Sequence, residues 1–420
     1  MTELTDRPAA GVPDAASAEY FPMEGVPESV LHKVFRASHR WMLTHGRDVN
    51  ALHVGEPAYG MPPSVVTAMT DAISSGDTAY TSAEGASELR EALTAKLIRQ
   101  GLDVSPDYVF VAPGSCQGLS AVGKAVHTPG SAWLIPQVHW PIYRQQGAVN
   151  GYETLAYPLG KHYGLDVDRI AQSATAQTRV IVVNSPANPT GAVADDRDRR
   201  ELLTLATERD WIVISDEAYE DFVYDGKHTP LATLEADIDP AERRVFSAFT
   251  FSKSHAMTGC RVGYVVAPND RFAALVRRVQ EATIIAPPTP AQRGALAALD
   301  EHDAVRDNVA YVRASRDAVM PDLIAEGLID VPPAGGWYAL LNIAQSGLGA
   351  QQFADRLLDE RGVGVAPAAA FAVDDDPVAR DLIRISMAGD RDQLVDGVRE
   401  IIQACREWGD TRDVRSEATT

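Results

Sequence analysis

Six short apolar runs, at residues 108–111, 132–135, 180–183, 211–214, 244–248 and 262–266, are set apart by stretches of helical length and period, such as 117–125 and 197–209. This alternation constrains the fold more than any other feature of the chain. Strands that alternate with helices pair in parallel, because a crossover helix has to return the chain to the same end of the sheet. Most of these runs are apolar at every position rather than at every second one. A strand of that kind is covered on both faces, as in a parallel sheet packed between helix layers. After Thr289 the pattern changes. A long helix is expected from that point, then a second over 314–326. A strand at 336–342, a helix at 352–360, a strand at 382–386 and a last helix over 391–408 follow. This part is α+β in character and reads as a smaller domain.

The chain of 420 residues is long enough for two packed domains, and at 45% hydrophobic it has the apolar material to fill both. The expected division is a mobile arm over 1–19, a segment over 20–53 that joins the smaller domain, a large domain over 54–300, a small one over 301–408 and a mobile tail over 409–420. No apolar run reaches membrane-spanning length, and the acidic N-terminus lacks the pattern of a signal peptide, so a cytoplasmic location is expected. The net charge of −20 opposes nucleic acid and anionic membranes as partners. Cys116, Cys260 and Cys405 lie far apart, without CxxC or zinc-ligand spacing, so neither a disulfide framework nor a metal site is expected.

Four stretches carry chemistry. In FSAFTFSKSHAMTGCRVGY, Lys253 follows a strand end among small and aromatic residues, an unusual place for a side chain that prefers water. An amine so placed is a candidate nucleophile. WIVISDEAY puts Asp216 at the carboxyl end of a strand, where ligands of parallel sheets bind; the plainer alternative is a helix cap. VIVVNSPANPTG ends a strand in a loop stiffened by proline, and offers the amide of Asn188 or serves only as a connection. FVAPGSCQGL runs from a strand through Gly114 into a helix start suited to an anion, while its glycine spacing fits neither a dinucleotide nor a P-loop pattern.

In this order, the four stretches resemble the fold-type I pyridoxal-phosphate (PLP) enzymes, specifically the class I/II aminotransferases that include aspartate aminotransferase. The resemblance covers about 54–388. It implies a large PLP-binding α/β domain, with a mostly parallel sheet sandwiched by helices, and a smaller α+β domain. It implies transfer of an amino group from an L-amino acid to a 2-oxo acid by a ping-pong scheme.

The roles it implies fall on matching residues. Lys253 is similar to the Schiff-base lysine, Asp216 to the partner of the pyridine nitrogen and Tyr219 to the donor at the ring oxygen. Asn188 matches the asparagine that serves both that oxygen and the substrate carboxylate. Trp140 falls where an aromatic covers the ring. Gly114, Ser115 and Cys116, with Thr250 and Arg261, match the phosphate site. Tyr80 matches a tyrosine that reaches the phosphate of a neighbouring subunit, which implies a homodimer with shared active sites. Arg384 matches the arginine that grips the α-carboxylate, and Gly55 a glycine beside the substrate.

Some positions depart from the family pattern. Cys260 replaces an aromatic, Ala368 and Ala372 replace glycines, Ala58 replaces an acid, and Cys116 is uncommon in a phosphate turn. The alanines lie near the expected substrate pocket. They leave open a specialised PLP enzyme of the same scaffold, acting by elimination, replacement, oxidation or C–C bond formation. A gapless match also puts Glu281 where dicarboxylate enzymes carry an arginine from the neighbouring subunit, which would favour a cationic or amine-bearing substrate.

Overall fold

The computed structural model describes Val26, residues 30–373 and residues 376–417, with side chains as far as Gly409. The arm expected at 1–19 lies outside the described residues. Seven strands form the larger sheet: β1 Val109–Ala112, β2 Ala132–Pro136, β3 Glu153–Tyr157, β4 Thr178–Asn184, β5 Ile212–Asp216, β6 Val245–Thr250 and β7 Gly263–Val266. Their spatial order is β1-β7-β6-β5-β4-β2-β3. Strands β3, β2, β4, β5 and β6 run parallel, and β7 runs antiparallel to both its neighbours. The six apolar runs all became strands of this sheet. β3 was not anticipated, because Glu153, Thr154 and a half-exposed face break its apolar run, as suits an edge strand.

Alternation along each buried strand divides the core in two. Val180, Val182 and Ile214 face one helix layer, where they pack with Leu119 and Val122 of helix α4 (Gly114–Ala125). Ile181, Val183 and Val213 face the other, against Leu202 and Ala206 of helix α7 (Asp196–Glu208). On that second side, Val109, Val111 and Phe249 meet helix α3 (Ser87–Arg99) and helix α9 (Thr289–Ala298).

A three-stranded antiparallel sheet is built from β8 Tyr338–Asn342, β9 Ala366–Pro367 and β10 Leu382–Ser386, with β10 in the middle. Its core joins helix α10 (His302–Ala325), helix α11 (Ala350–Arg361) and helix α12 (Arg391–Glu417). The expected break at 314 is absent. The long helix after Thr289 instead ends at Ala298, and α10 is continuous from His302. It buries Asn308, Val312, Ser315, Val319 and Leu323 along one stripe, and this tertiary burial overrides the polar stretch around Arg313. The last helix continues past Trp408 to Glu417. Helix α1 (Val30–His45) packs Trp41 against Leu358 of α11, and Asn50–Ala51 pairs in parallel with Val363–Gly364.

Candidate active site

The carboxyl ends of β4, β5 and β6 lie side by side, with Asn184 opposite Asp216 and Asp216 opposite Ala248. β1 ends, and β7 starts, at the same edge: Gly263 pairs with both Ala112 and Thr250. Side chains that follow these strand ends therefore converge without any long loop to carry them. They line a cavity of about 350 Å³, a size that suits a small ligand. A larger groove of about 1090 Å³, between the 160–168 segment and the 327–334 loop, holds none of the expected site residues.

Asp216 is the last residue of β5 and is 3% exposed. Burial lifts its carboxyl to about 6, against the pull of hydrogen bonds from Tyr143 Oη at 2.5 Å and Ala218 N at 3.1 Å. Those donors orient the carboxylate but bring no positive charge to neutralise it. The Asn184 amide donates to the Asp216 carbonyl at 2.9 Å and accepts from Asn188 N at 2.7 Å, so it ties the β4 loop to the β5 end.

Lys253 Nζ stands 4.7 Å from the Trp337 ring centre and 5.4 Å from that of Tyr219. An ammonium prefers such ring faces. Tyr219 is buried and donates to Tyr338 Oη at 3.3 Å. Burial pushes the Tyr219 phenol up. Burial acts on Tyr338 in the same sense, but the nearby Lys253 and Arg384 charges prevail and hold that phenol below its ordinary value.

The other end of the cavity is built for an anion. Helix α4 begins at Gly114 with no side-chain cap, so its first amides, at Ser115 and Cys116, are open to the cavity. Gly114 has φ +78°, and a Cβ there would strike the Arg261 guanidinium. A Cβ on Gly263 would come within 2.6 Å of Ser115 N. Both glycines thus let the helix start, β7 and Arg261 close up on one another. Arg261 Nη1 donates to the Thr258 carbonyl at 2.8 Å, and Thr250 Oγ1 donates to Ser252 Oγ at 2.9 Å.

Opposite this end, Arg384 of β10 is 3% exposed and stacked over Tyr338 at 4.1 Å and Phe371 at 4.4 Å. It donates to Asn188 Oδ1 at 3.2 Å and to the His53 carbonyl at 2.8 Å, while its Nε has no partner. A buried donor left open in this way is costly unless an acceptor arrives. His53 lies alongside; burial chiefly lowers its imidazole to about 4 and leaves it neutral.

The cavity gathers Ser115, Cys116, Trp140, Asn188, Asp216 and Tyr219, and with them Thr250, Lys253, Arg261, Arg384 and Gly55. Gly114 stands behind Arg261. Tyr80 is 82% exposed and stands apart from the cavity lining, and Glu281 is exposed on helix α8 (Asp270–Thr283). Tyr338, Asn184, Ser252 and His53 line the cavity without having been anticipated. Asn184 could have been found by the strand-end reasoning that found Asp216. Tyr338 could not, since its place depends on how the second sheet meets the first.

The residues fit PLP on their own chemistry: a buried carboxylate hydrogen-bonded only by neutral donors for a ring nitrogen, an uncapped helix start beside an arginine for a phosphate, and an amine caged by aromatic rings in the same cavity.

The model of the family described as aminotransferase class I and II matches residues 47–402. The chain is 31% identical over 373 residues to a probable aspartate/prephenate aminotransferase of Aquifex aeolicus, covering 86% of this chain and 92% of that one. It is 32% identical over 369 residues to an arginine–pyruvate transaminase of Pseudomonas aeruginosa, covering 86% and 89%. Among solved structures, an aspartate aminotransferase double mutant of Thermus thermophilus superposes with a TM-score of 0.83 at 29% identity, over 91% of this chain and 98% of that one.

Proposed function

Because the chain belongs to the class I and II aminotransferase family, we propose that the residues converging on the sheet edge divide the work of a PLP-dependent aminotransferase as follows. The protein is a transaminase that uses pyridoxal 5'-phosphate and acts on amino and 2-oxo acids. Lys253 would hold the cofactor covalently through Nζ. Asp216 would serve the ring nitrogen, Tyr219 and Asn188 the ring oxygen, and Trp140 the ring. The Gly114–Cys116 amides, Thr250 and Arg261 would hold the phosphate, joined by Tyr80 from a second copy of the chain. When bound, the cofactor supplies an electron-accepting ring that weakens the bond between the substrate Cα and its hydrogen.

The chain's own groups do the rest. Arg384 receives the substrate carboxylate, its Nε finding there the acceptor it lacks, and Asn188 supports the same group. Lys253 Nζ takes the proton from the amino acid's Cα, and in the return half delivers one to the carbon that was the keto carbon of the incoming 2-oxo acid. The aromatic rings of Tyr219, Trp337 and Tyr338 keep water from that proton. The single observation that carries the reading is that Lys253 lines one cavity together with the buried Asp216 and the buried Arg384. Replacement of Lys253 by Ala is expected to abolish the cofactor's protein-bound absorption band and to slow amino transfer by about 10⁴-fold. A Lys253→Ala protein with wild-type spectrum and rate would overturn it.

Substrate choice follows from charge. Among the described cavity-lining residues, the lysine and arginine side chains are Lys253, Arg261 and Arg384, and each already has a role. None remains for a second substrate carboxylate, while Glu56 stands exposed at the mouth. Glu281 from the second copy adds an acid there. A neutral or cationic side chain is therefore favoured, in line with the arginine-using relative rather than the aspartate-using ones. Glu281→Arg is expected to shift the ratio of kcat/KM for aspartate over arginine upward by about 10- to 100-fold, the worth of a charged hydrogen bond. An unchanged ratio removes Glu281 from the site.

A further inference from the structure

Cys260, the residue that departs from the family's aromatic, is left without a part in amino transfer. It sits in the turn before Arg261, and its thiol points at two methionine sulfurs, Met61 Sδ at 3.4 Å and Met69 Sδ at 3.8 Å. They come from two parts of the chain: Met61 just precedes helix α2 (Pro63–Ser75) and Met69 is on it, while Cys260 is near β7. All three are half-buried at the rim of the core beneath α2 and α9, so solvent reaches them. Space for them is kept by Gly294 of α9, where a Cβ would come within 2.9 Å of Met69 Sδ.

The geometry points to a binding site for a soft monovalent cation, Cu(I), held by the Cys260 thiolate and the Met61 and Met69 thioethers. Thiolate and thioether donors are the set that selects Cu(I) over harder ions. With metal–sulfur bonds of about 2.3 Å, two ligands of one ion stand roughly 3.8–4.0 Å apart. The Cys260–Met69 separation already meets this, and Cys260–Met61 needs to open by a few tenths of an ångström, well within the reach of unbranched methionine. Zinc or another borderline ion would need further thiolate, imidazole or carboxylate ligands, and the described residues hold no group of three His, Cys, Asp or Glu that could bind a metal. Binding is a ligand exchange without redox change: the S–H bond breaks, its proton leaves to water, and a Cu–S bond forms. The result is a neutral complex that no counter-ion has to balance.

The test is anaerobic Cu(I) titration of the PLP-loaded enzyme against a chromophoric Cu(I) chelator, followed by copper-edge X-ray absorption of the loaded protein. The expected result is one tight equivalent with sulfur neighbours only. Cys260→Ser should weaken it by about 100-fold, and Met61→Leu/Met69→Leu, which keeps side-chain volume, by about 10-fold or more. Cys116→Ser/Cys405→Ser should keep the tight equivalent. Thermal unfolding of each variant shows whether it is folded. Tight binding that survives Cys260→Ser, or that is indifferent to loss of both thioethers in a folded protein, would overturn the proposal, as would nitrogen or oxygen neighbours in the absorption spectrum.

Discussion

Asp216 pays for its position. Its carboxyl sits at about 6 rather than 3.8, because burial outweighs the Tyr143 and Ala218 donors. A folded-state value above the unfolded one means that the folded protein holds the proton more tightly. Ionisation therefore costs stability, with no cost below pH ~4 and the full cost above pH ~6, roughly 2–3 kcal/mol. Asp216→Asn should accordingly stabilise the cofactor-free protein by about that amount at pH 8 and by little at pH 4. On the role proposed for Asp216, the same variant should hold PLP more weakly at pH 8, because the charge that would face the ring nitrogen is gone. Chemical denaturation of cofactor-free protein at the two pH values checks the first part. A pH-independent difference would show that packing, not charge, governs Asp216.

At the scale of elements, the site is a property of strand ends. β4, β5 and β6 deliver Asn184, Asp216 and Thr250 to one edge, and the uncapped start of α4 closes the row. Gly263 is the spacer that sets α4 against β7. Gly263→Ala should push the Ser115 amide away, raising the PLP dissociation constant by about 10-fold or more and costing about 1–3 kcal/mol of stability. Cofactor release followed by absorbance measures the first, and thermal unfolding the second. Affinity and stability both at wild-type levels would mean that the helix start can shift freely.

This edge was legible in the sequence because each of its members follows its own apolar run. Lys253, Asp216, Asn188 and Gly114 could be read one strand at a time. Tyr338 and His53 were not legible. Tyr338 lies on a strand of the second sheet and His53 just beyond a two-residue pairing, and the bonds that tie them to the cavity span 119 residues from Tyr338 to Tyr219 and 331 from His53 to Arg384. For the same reason helix α10 was split in two: the stripe that holds it together is visible only once the second core is assembled.

For the whole molecule, the cavity of one chain is lined by the anticipated residues of the phosphate end except Gly114, which stands behind Arg261, and Tyr80, which is 82% exposed. An aromatic ring so uncovered needs a partner if it is to take part, and a second copy would bring it to the phosphate. Sedimentation should therefore show a dimer, and Tyr80→Phe should loosen PLP about 10-fold, the worth of one charged hydrogen bond, without lowering the thermal stability of the cofactor-free chain. A monomer that retains PLP as tightly as the wild type would leave Tyr80 a plain surface residue.

Arg384 has one further consequence. Its bond to Asn188 joins β10 of the smaller sheet to the loop after β4 of the larger one. On the role proposed for Arg384, a substrate carboxylate arrives at an occupied seat and must displace or share an amide already in place. What a binding measurement reads is the difference between two handshakes, and the arginine can let go of one guest because its own neighbour is waiting to take the hand.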